Sequence, residues 1–170
     1  YVSLARKRYP SDQTILNSEI NCYIKLNRVP ELIEKLTEAI DMDSTNDILY
    51  VNRAIIYQQE GSVADAERDY ISALVHNPSS FDANYSLGAL YFNLGAETIK
   101  KANNTSNNNT YKKLKKKADT YFSKALPYMQ KAYSLNSNDY GTLSSLEQLY
   151  YRNGDYAKSK EMKAKKESLK

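Results

Sequence analysis

The chain has 170 residues, 41% of them apolar, with 16 tyrosines, no tryptophan and one cysteine, Cys22. A lone cysteine excludes an internal disulfide, no apolar run is long enough for a membrane-spanning helix, and 5 glycines with 4 prolines are too few for a turn-rich sheet protein. The net charge of +4 is unevenly placed: residues 96–118 carry Lys100, Lys101, Lys112, Lys113, Lys115, Lys116 and Lys117 against Glu97, a net of +6, which leaves −2 for the remainder.

A fixed interval organises the chain. Tyr23, Tyr57 and Tyr91 stand thirty-four residues apart, as do Ala5, Ala39 and Ala73. The steps from Tyr91 to Tyr150 and from Ala73 to Ala132 are both fifty-nine, which is thirty-four plus an insertion of twenty-five. Leu36, Tyr70 and Met129 follow the same two steps. A period in this range marks stacked repeats, each burying its apolar face on the next.

In chain order, residues 1–12 read as the second helix of a truncated repeat, marked by Ala5 and Pro10. With Tyr1 in place of methionine, the chain reads as a piece of something longer. Residues 13–46 form a unit carrying Leu16, Ile20, Tyr23, Leu32, Leu36, Ala39 and Ser44. In residues 47–80 a first helix, from about 46 to 60, presents Tyr50, Ala54 and Tyr57 on one face. Gly61 ends that helix and Ser62 caps the next, which presents Ala66, Tyr70 and Ala73 before Pro78 closes the unit. Residues 81–139 repeat the pattern with Leu87, Gly88 and Tyr91, then Ala125, Met129 and Ala132, around an insertion at about 96–118.

The insertion has a helical stripe of its own: Tyr111, Leu114, Ala118 and Phe122 run into Ala125, Met129 and Ala132, opposite Leu94, Thr98 and Ala102. Two overlong helices forming a protruding hairpin are expected, joined by a mobile Asn/Ser/Thr turn at 103–109. Pro127 either bends the second of these helices or restarts it. Residues 140–170 form a degenerate unit with Leu143, Leu146, Tyr150, Gly154, Asp155 and Tyr156. Ser159 and Lys163 stand in its second-helix anchor positions, so the lysine-rich last helix is expected to cap the stack toward water.

Tyr50, Ala54, Tyr57, Ala66, Tyr70, Ala73 and Pro78 resemble, position by position, the tetratricopeptide repeat. The resemblance implies an all-α, right-handed α-α superhelix of antiparallel helix pairs whose first helices line a concave groove. Transferred by phase, the groove positions are Asn17, Asn21 and Ile24; Ile48, Val51, Asn52, Ile55 and Gln58; Asp82, Tyr85, Ala89 and Phe92; and Ser144, Gln148 and Tyr151. Ile55, Tyr85, Phe92 and Tyr151 would form an apolar track suited to an extended segment or a helix of a partner protein. One subfamily clamps acidic chaperone tails with two asparagines and three cations. Asn21 and Asn52 match the asparagines, but Asn17, Asp82 and Ser86 occupy the cationic positions, and Asp82 repels a carboxylate. The asparagine, tyrosine and lysine richness is similar to Bacteroidetes tetratricopeptide proteins, which implies a periplasmic or exported location.

The residues carry no catalytic or cofactor signature. His76, the one histidine, sits near a helix C-terminus, where the dipole favours a cation. Cys22 falls on an inner helix position and is expected to be packed. Asp41, Asp43 and Asp47 fail as a calcium loop, because Asn46 stands where glycine is required and Asn52 where the closing glutamate belongs. No phosphate-binding glycine loop or Cys/His zinc cluster is present. The expected function is a non-enzymatic scaffold binding another protein. The alternatives are polyanion binding through Lys112, Lys113, Lys115, Lys116 and Lys117, or self-assembly through the repeat ends. The lysines are not interleaved with aromatics or arginine, which argues against a nucleic-acid reader.

Overall fold

The computed structural model describes residues 28–169 and, before them, Thr14, Ile15, Ser18, Cys22, Tyr23, Lys25 and Leu26. The expected first half-repeat, and Asn17, Asn21 and Ile24, lie outside the described residues. Residues 28–169 contain seven helices: α1 (Val29–Met42), α2 (Asp47–Gln59), α3 (Val63–His76), α4 (Phe81–Asn103), α5 (Asn108–Leu135), α6 (Tyr140–Arg152) and α7 (Tyr156–Glu167). No strand occurs among the described residues. Each helix packs on the next in the chain, and the tightest pairs are α2 with α3, α4 with α5 and α6 with α7. The fold is an all-α helical solenoid.

Small residues let the pairs close. Ala54, Ala66, Ala73, Ala125 and Ala132 are fully buried, and Tyr70, Leu87, Met129, Leu143 and Leu146 fill the space around them. One cluster of these side chains runs from Val51 to Met162, and a second joins α1 to α2 through Leu32, Leu36, Ile40, Leu49 and Ile56.

The turns explain both the regular units and the irregular one. Gly61 has φ +77°. Its N–H donates to the Gln58 carbonyl at 3.1 Å, and the Ser62 N–H reaches back to the Tyr57 carbonyl at 2.8 Å. This pair of bonds closes a helix around a left-handed residue, where glycine has no Cβ penalty. Gly154 repeats it: φ +78°, with bonds to Tyr151 and Tyr150 of 3.1 and 2.9 Å.

Gly95 lies thirty-four residues after Gly61 and fifty-nine before Gly154, at the same phase, yet it is buried inside α4. A Cβ there would stand 2.7 Å from Cε1 of Phe122. The glycine that turns the chain in its neighbours here admits the Phe122 ring, and α4 runs eight residues further, about 12 Å at 1.5 Å per residue. The hairpin core consists of Thr98 and Ala102 facing Ala118 and Phe122, all buried. The α5 stripe thins outward, with Leu114 half-buried and Tyr111 exposed near the tip, where only two helices are left to cover each other.

Pro127 sits inside α5, which continues through it without a break. The proline is on the exposed face, so water can satisfy the Ser123 carbonyl it leaves without a donor. Ser62 occupies the first-residue position before α3 but makes no side-chain cap. Ser80, Asn107, Asp139 and Asp155 do cap α4, α5, α6 and α7. Cys22 is exposed, contrary to its expected packing. Its neighbour Tyr23 faces the α1 cluster instead, and adjacent helical residues point roughly 100° apart. α7 is held by buried Ser159 and Met162, and the Ser159 hydroxyl donates to the Glu147 carbonyl at 2.9 Å.

Replacing Gly95 with alanine forces the Cβ against a ring that is itself enclosed, so Gly95→Ala should destabilise the chain by about 1–3 kcal/mol. Thermal unfolding followed by circular dichroism measures this. Adding Phe122→Leu should recover part of the loss, and no recovery would show that the clash is not the cause.

Candidate functional site: the first-helix face and the lysine hairpin

The first helices α2, α4 and α6 carry most of the residues singled out by repeat phase, and the structure does not treat them alike. Val51 (6% exposed) and Asn52 (1%) are buried. Val51 packs into the main cluster with Ala54. Ile55, Tyr85, Ala89 and Phe92 are half-buried against the main cluster. Gln58 and Gln148 are exposed, and Tyr151 is 64% exposed. Ile48, one turn before Asn52, is 44% exposed.

Local contacts orient these side chains. Tyr85 stacks on Phe81 with centroids 5.8 Å apart, and its ring leans on the space left by Gly141, where a Cβ would collide with it. Phe92 meets Phe122 edge-on at 5.6 Å, which fixes it at the hairpin root. The Arg152 guanidinium lies 4.0 Å from the centre of the Phe122 ring, a cation–π contact from the next unit. Tyr151 meets Tyr156 edge-on at 5.4 Å. Gln58 accepts a 3.1 Å hydrogen bond from Tyr70, so its amide is oriented from behind.

Two clefts border this face. One, of about 380 Å³, is lined by Gln58, Gly61, Val63, Leu90, Asn93, Leu94 and Glu97. It lies between α4 and the turn that α2 makes at Gly61. The other, of about 200 Å³, lies among Glu147, Gln148, Tyr151, Arg152 and Ser159.

Behind the face is an arrangement that the spacing argument missed. Arg53 donates through Nε and Nη2 to the two Asp69 carboxylate oxygens at 2.6 and 3.0 Å, and through Nη1 to Thr37 Oγ1 at 2.9 Å. The Asp69 side chain is 2% exposed and that of Arg53 12%. One guanidinium thereby ties α1, α2 and α3 together, with the Tyr50 and Tyr57 rings about it at 6.0 and 5.9 Å. Bonding to Asp69 raises the Arg53 pKa above the usual arginine value. The signal was available: Asp69 lies in the same inner stripe as Ala66, Tyr70 and Ala73, where an acid needs a partner.

His76, Asp43 and Asp47, considered for chemistry, have structural contacts. His76 stacks on Tyr50 at 5.5 Å. Asp43 accepts from Thr45, and Asp47 accepts from Asn77 at 3.0 Å. No group of three metal-ligating side chains occurs among the described residues. Lys112, Lys113, Lys115, Lys116 and Lys117 are all exposed on α5.

No protein-family model matches the sequence, and no curated protein matches it. Several solved structures are similar. MamA has a TM-score of 0.65 at 17% identity, with 99% of this chain and 84% of that one covered. A monomeric mutant of IFIT1 with Gppp-AAAA has a TM-score of 0.74 at 18% identity; 99% of this chain is covered, and it spans 36% of IFIT1. A TPR repeats protein from Bacteroides fragilis has a TM-score of 0.58 at 30% identity, with 76% of this chain and 63% of that one covered. The structural neighbours are tetratricopeptide-repeat proteins, and this chain has their fold.

Two measurements probe the support behind the face. Asp69→Ala leaves a largely buried guanidinium without its carboxylate and should lower stability by about 3 kcal/mol or more, read from urea unfolding; a loss below about 1 kcal/mol would mean the pair is replaceable by water. Burial pushes the Tyr70 hydroxyl up to about 12 from 10.0. The folded state therefore holds this proton more tightly than the unfolded one. The associated stability is complete below pH 10 and should fall by roughly 2–3 kcal/mol as the pH climbs toward 12. Tyr70→Phe should lose less stability over that interval than the parent chain. Equal slopes would assign the alkaline loss to other groups.

Proposed function

We propose that the chain is a non-enzymatic interaction scaffold that holds a segment of a partner protein along the face of α2, α4 and α6. The observation that carries this reading is the placement of large apolar side chains at the solvent boundary of consecutive first helices: Ile48 and Tyr151 exposed, Ile55, Tyr85 and Phe92 half-buried. Apolar surface in series, mixed with amides such as Gln58 and Gln148, fits an extended segment or an amphipathic helix. The side chains of either would alternate between apolar anchors and hydrogen-bonded positions. The neighbouring fold supports the class, since tetratricopeptide proteins are typically protein-binding scaffolds.

The same geometry argues against an acidic-tail clamp. Asn52 is buried and Asp82 is exposed on the face, so the site offers a repelling carboxylate where such a clamp needs cations.

The test is crosslinking mass spectrometry of partners in source cells with the full-length protein, followed by capture with Ile48→Asp and Tyr151→Ala. Both side chains are exposed, so helicity should be unchanged while capture falls at least tenfold. Undiminished capture by the double variant would remove this face as the site.

A further inference from the structure

We propose that the outer end of the α4–α5 hairpin docks on the surface of an anionic lipid bilayer. Residues 98–118 contain seven lysines and no aspartate or glutamate. All seven lysines are exposed, and none forms an ion pair with a described residue. Lysines elsewhere do find acids, as Lys124 does with Glu67 at 3.4 Å and Lys158 with Asp155 at 2.9 Å. The hairpin charge is therefore not compensated by ion pairs among the described residues.

The distribution of that charge selects the occupant. At about 100° per residue, Lys113 and Lys116 point away from the buried Ala118 stripe, Lys112 and Lys115 lie toward one flank, and Lys117 lies on the other. Together they cover roughly 200° of α5. Lys100 and Lys101 occupy the opposite side of the hairpin, since Thr98 and Ala102 are the residues that α4 buries. The cations thus ring the hairpin within about 14 Å of its end, counting nine residue rises from the start of α5 to Lys117.

A rigid partner touching one side would meet only part of this ring. A layer of mobile anionic headgroups approached end-on can gather around all of it. The residues beyond the ring, 103–110, are asparagine, threonine and serine. They add no charge and can hydrogen-bond among headgroups. Lysine stems are long enough to reach down to that layer, and each lysine held near such a surface raises partitioning by about fivefold. Tyr111 is the one aromatic in residues 98–118, and the segment has no arginine. It therefore lacks the stacking surfaces with which proteins hold single-stranded nucleic acid. The hairpin leaves the first-helix face open, so this inference does not depend on the partner reading above.

The full chain should be sedimented with phosphatidylcholine vesicles, with and without about one-third phosphatidylserine, at about 0.1 M and about 0.5 M salt. Binding is expected to the phosphatidylserine vesicles alone and should fall at least tenfold at the higher salt. Lys112→Gln/Lys113→Gln/Lys116→Gln should lose about a hundredfold. Lys131→Gln/Lys160→Gln/Lys163→Gln removes the same net charge from exposed sites elsewhere and should change binding less than threefold, with both variants equally helical. Absence of binding to phosphatidylserine vesicles would overturn the proposal, as would equal losses in the two variants. Tighter binding at the same salt to a single- or double-stranded oligonucleotide, or to polyglutamate, would overturn it in favour of that partner.

Discussion

Two of the helix pairs in this chain close to packing distance where a side chain is nearly absent. Ala54 and Ala66 bring α2 to α3, Gly88 and Gly95 bring α4 to α5, and no atom beyond a methyl group stands at those points. The tyrosines, leucines and methionines then fill the volume beside each close approach, where large residues contribute most by leaving water. Because every helix leans on the next, no unit owns a complete core. Stability is shared along the stack, and a change at one approach is felt by both of its neighbours.

A single phase position shows how the repeat was modified without losing register. Gly61 and Gly154 sit in left-handed turns, while Gly95 stays helical beneath the Phe122 ring. The property used in the turns is freedom of φ; the property used in the hairpin is lack of volume. The lengthened α4 follows from that exchange, and with it the lysine ring at the hairpin end, while the same Phe122 ring takes the cation–π contact from Arg152. One structural change thus produces most of what distinguishes this stack from a regular one.

The Arg53–Asp69 pair has a different role from the apolar contacts. Desolvating two charges offsets much of their attraction, so the pair adds little net stability. What it supplies is register: three helices must be correctly placed for one guanidinium to reach Asp69 and Thr37 together. Arg53 lies between the buried Asn52 and Ala54 on α2, on the side away from Ile48 and Ile55, so the shape of the candidate face is tied to this node.

By itself the sequence determined the period, the helix pairs, the place of the insertion and its segregated charge, since all of these depend on spacing and composition along the chain. Asp69 stands as an acid in an apolar stripe of the sequence, but that it pairs with Arg53 could not be read from spacing. Tertiary structure alone decided which groove positions reach water. Val51 and Tyr151 both lie on first helices at groove phases, yet one is buried and the other exposed, because Val51 packs into the main cluster whereas Tyr151 stands in the last turn of α6 outside it. It also decided that Gly95 would be a contact and not a turn, a choice that rests on the Phe122 ring, twenty-seven residues away in the chain and 2.7 Å from the missing Cβ.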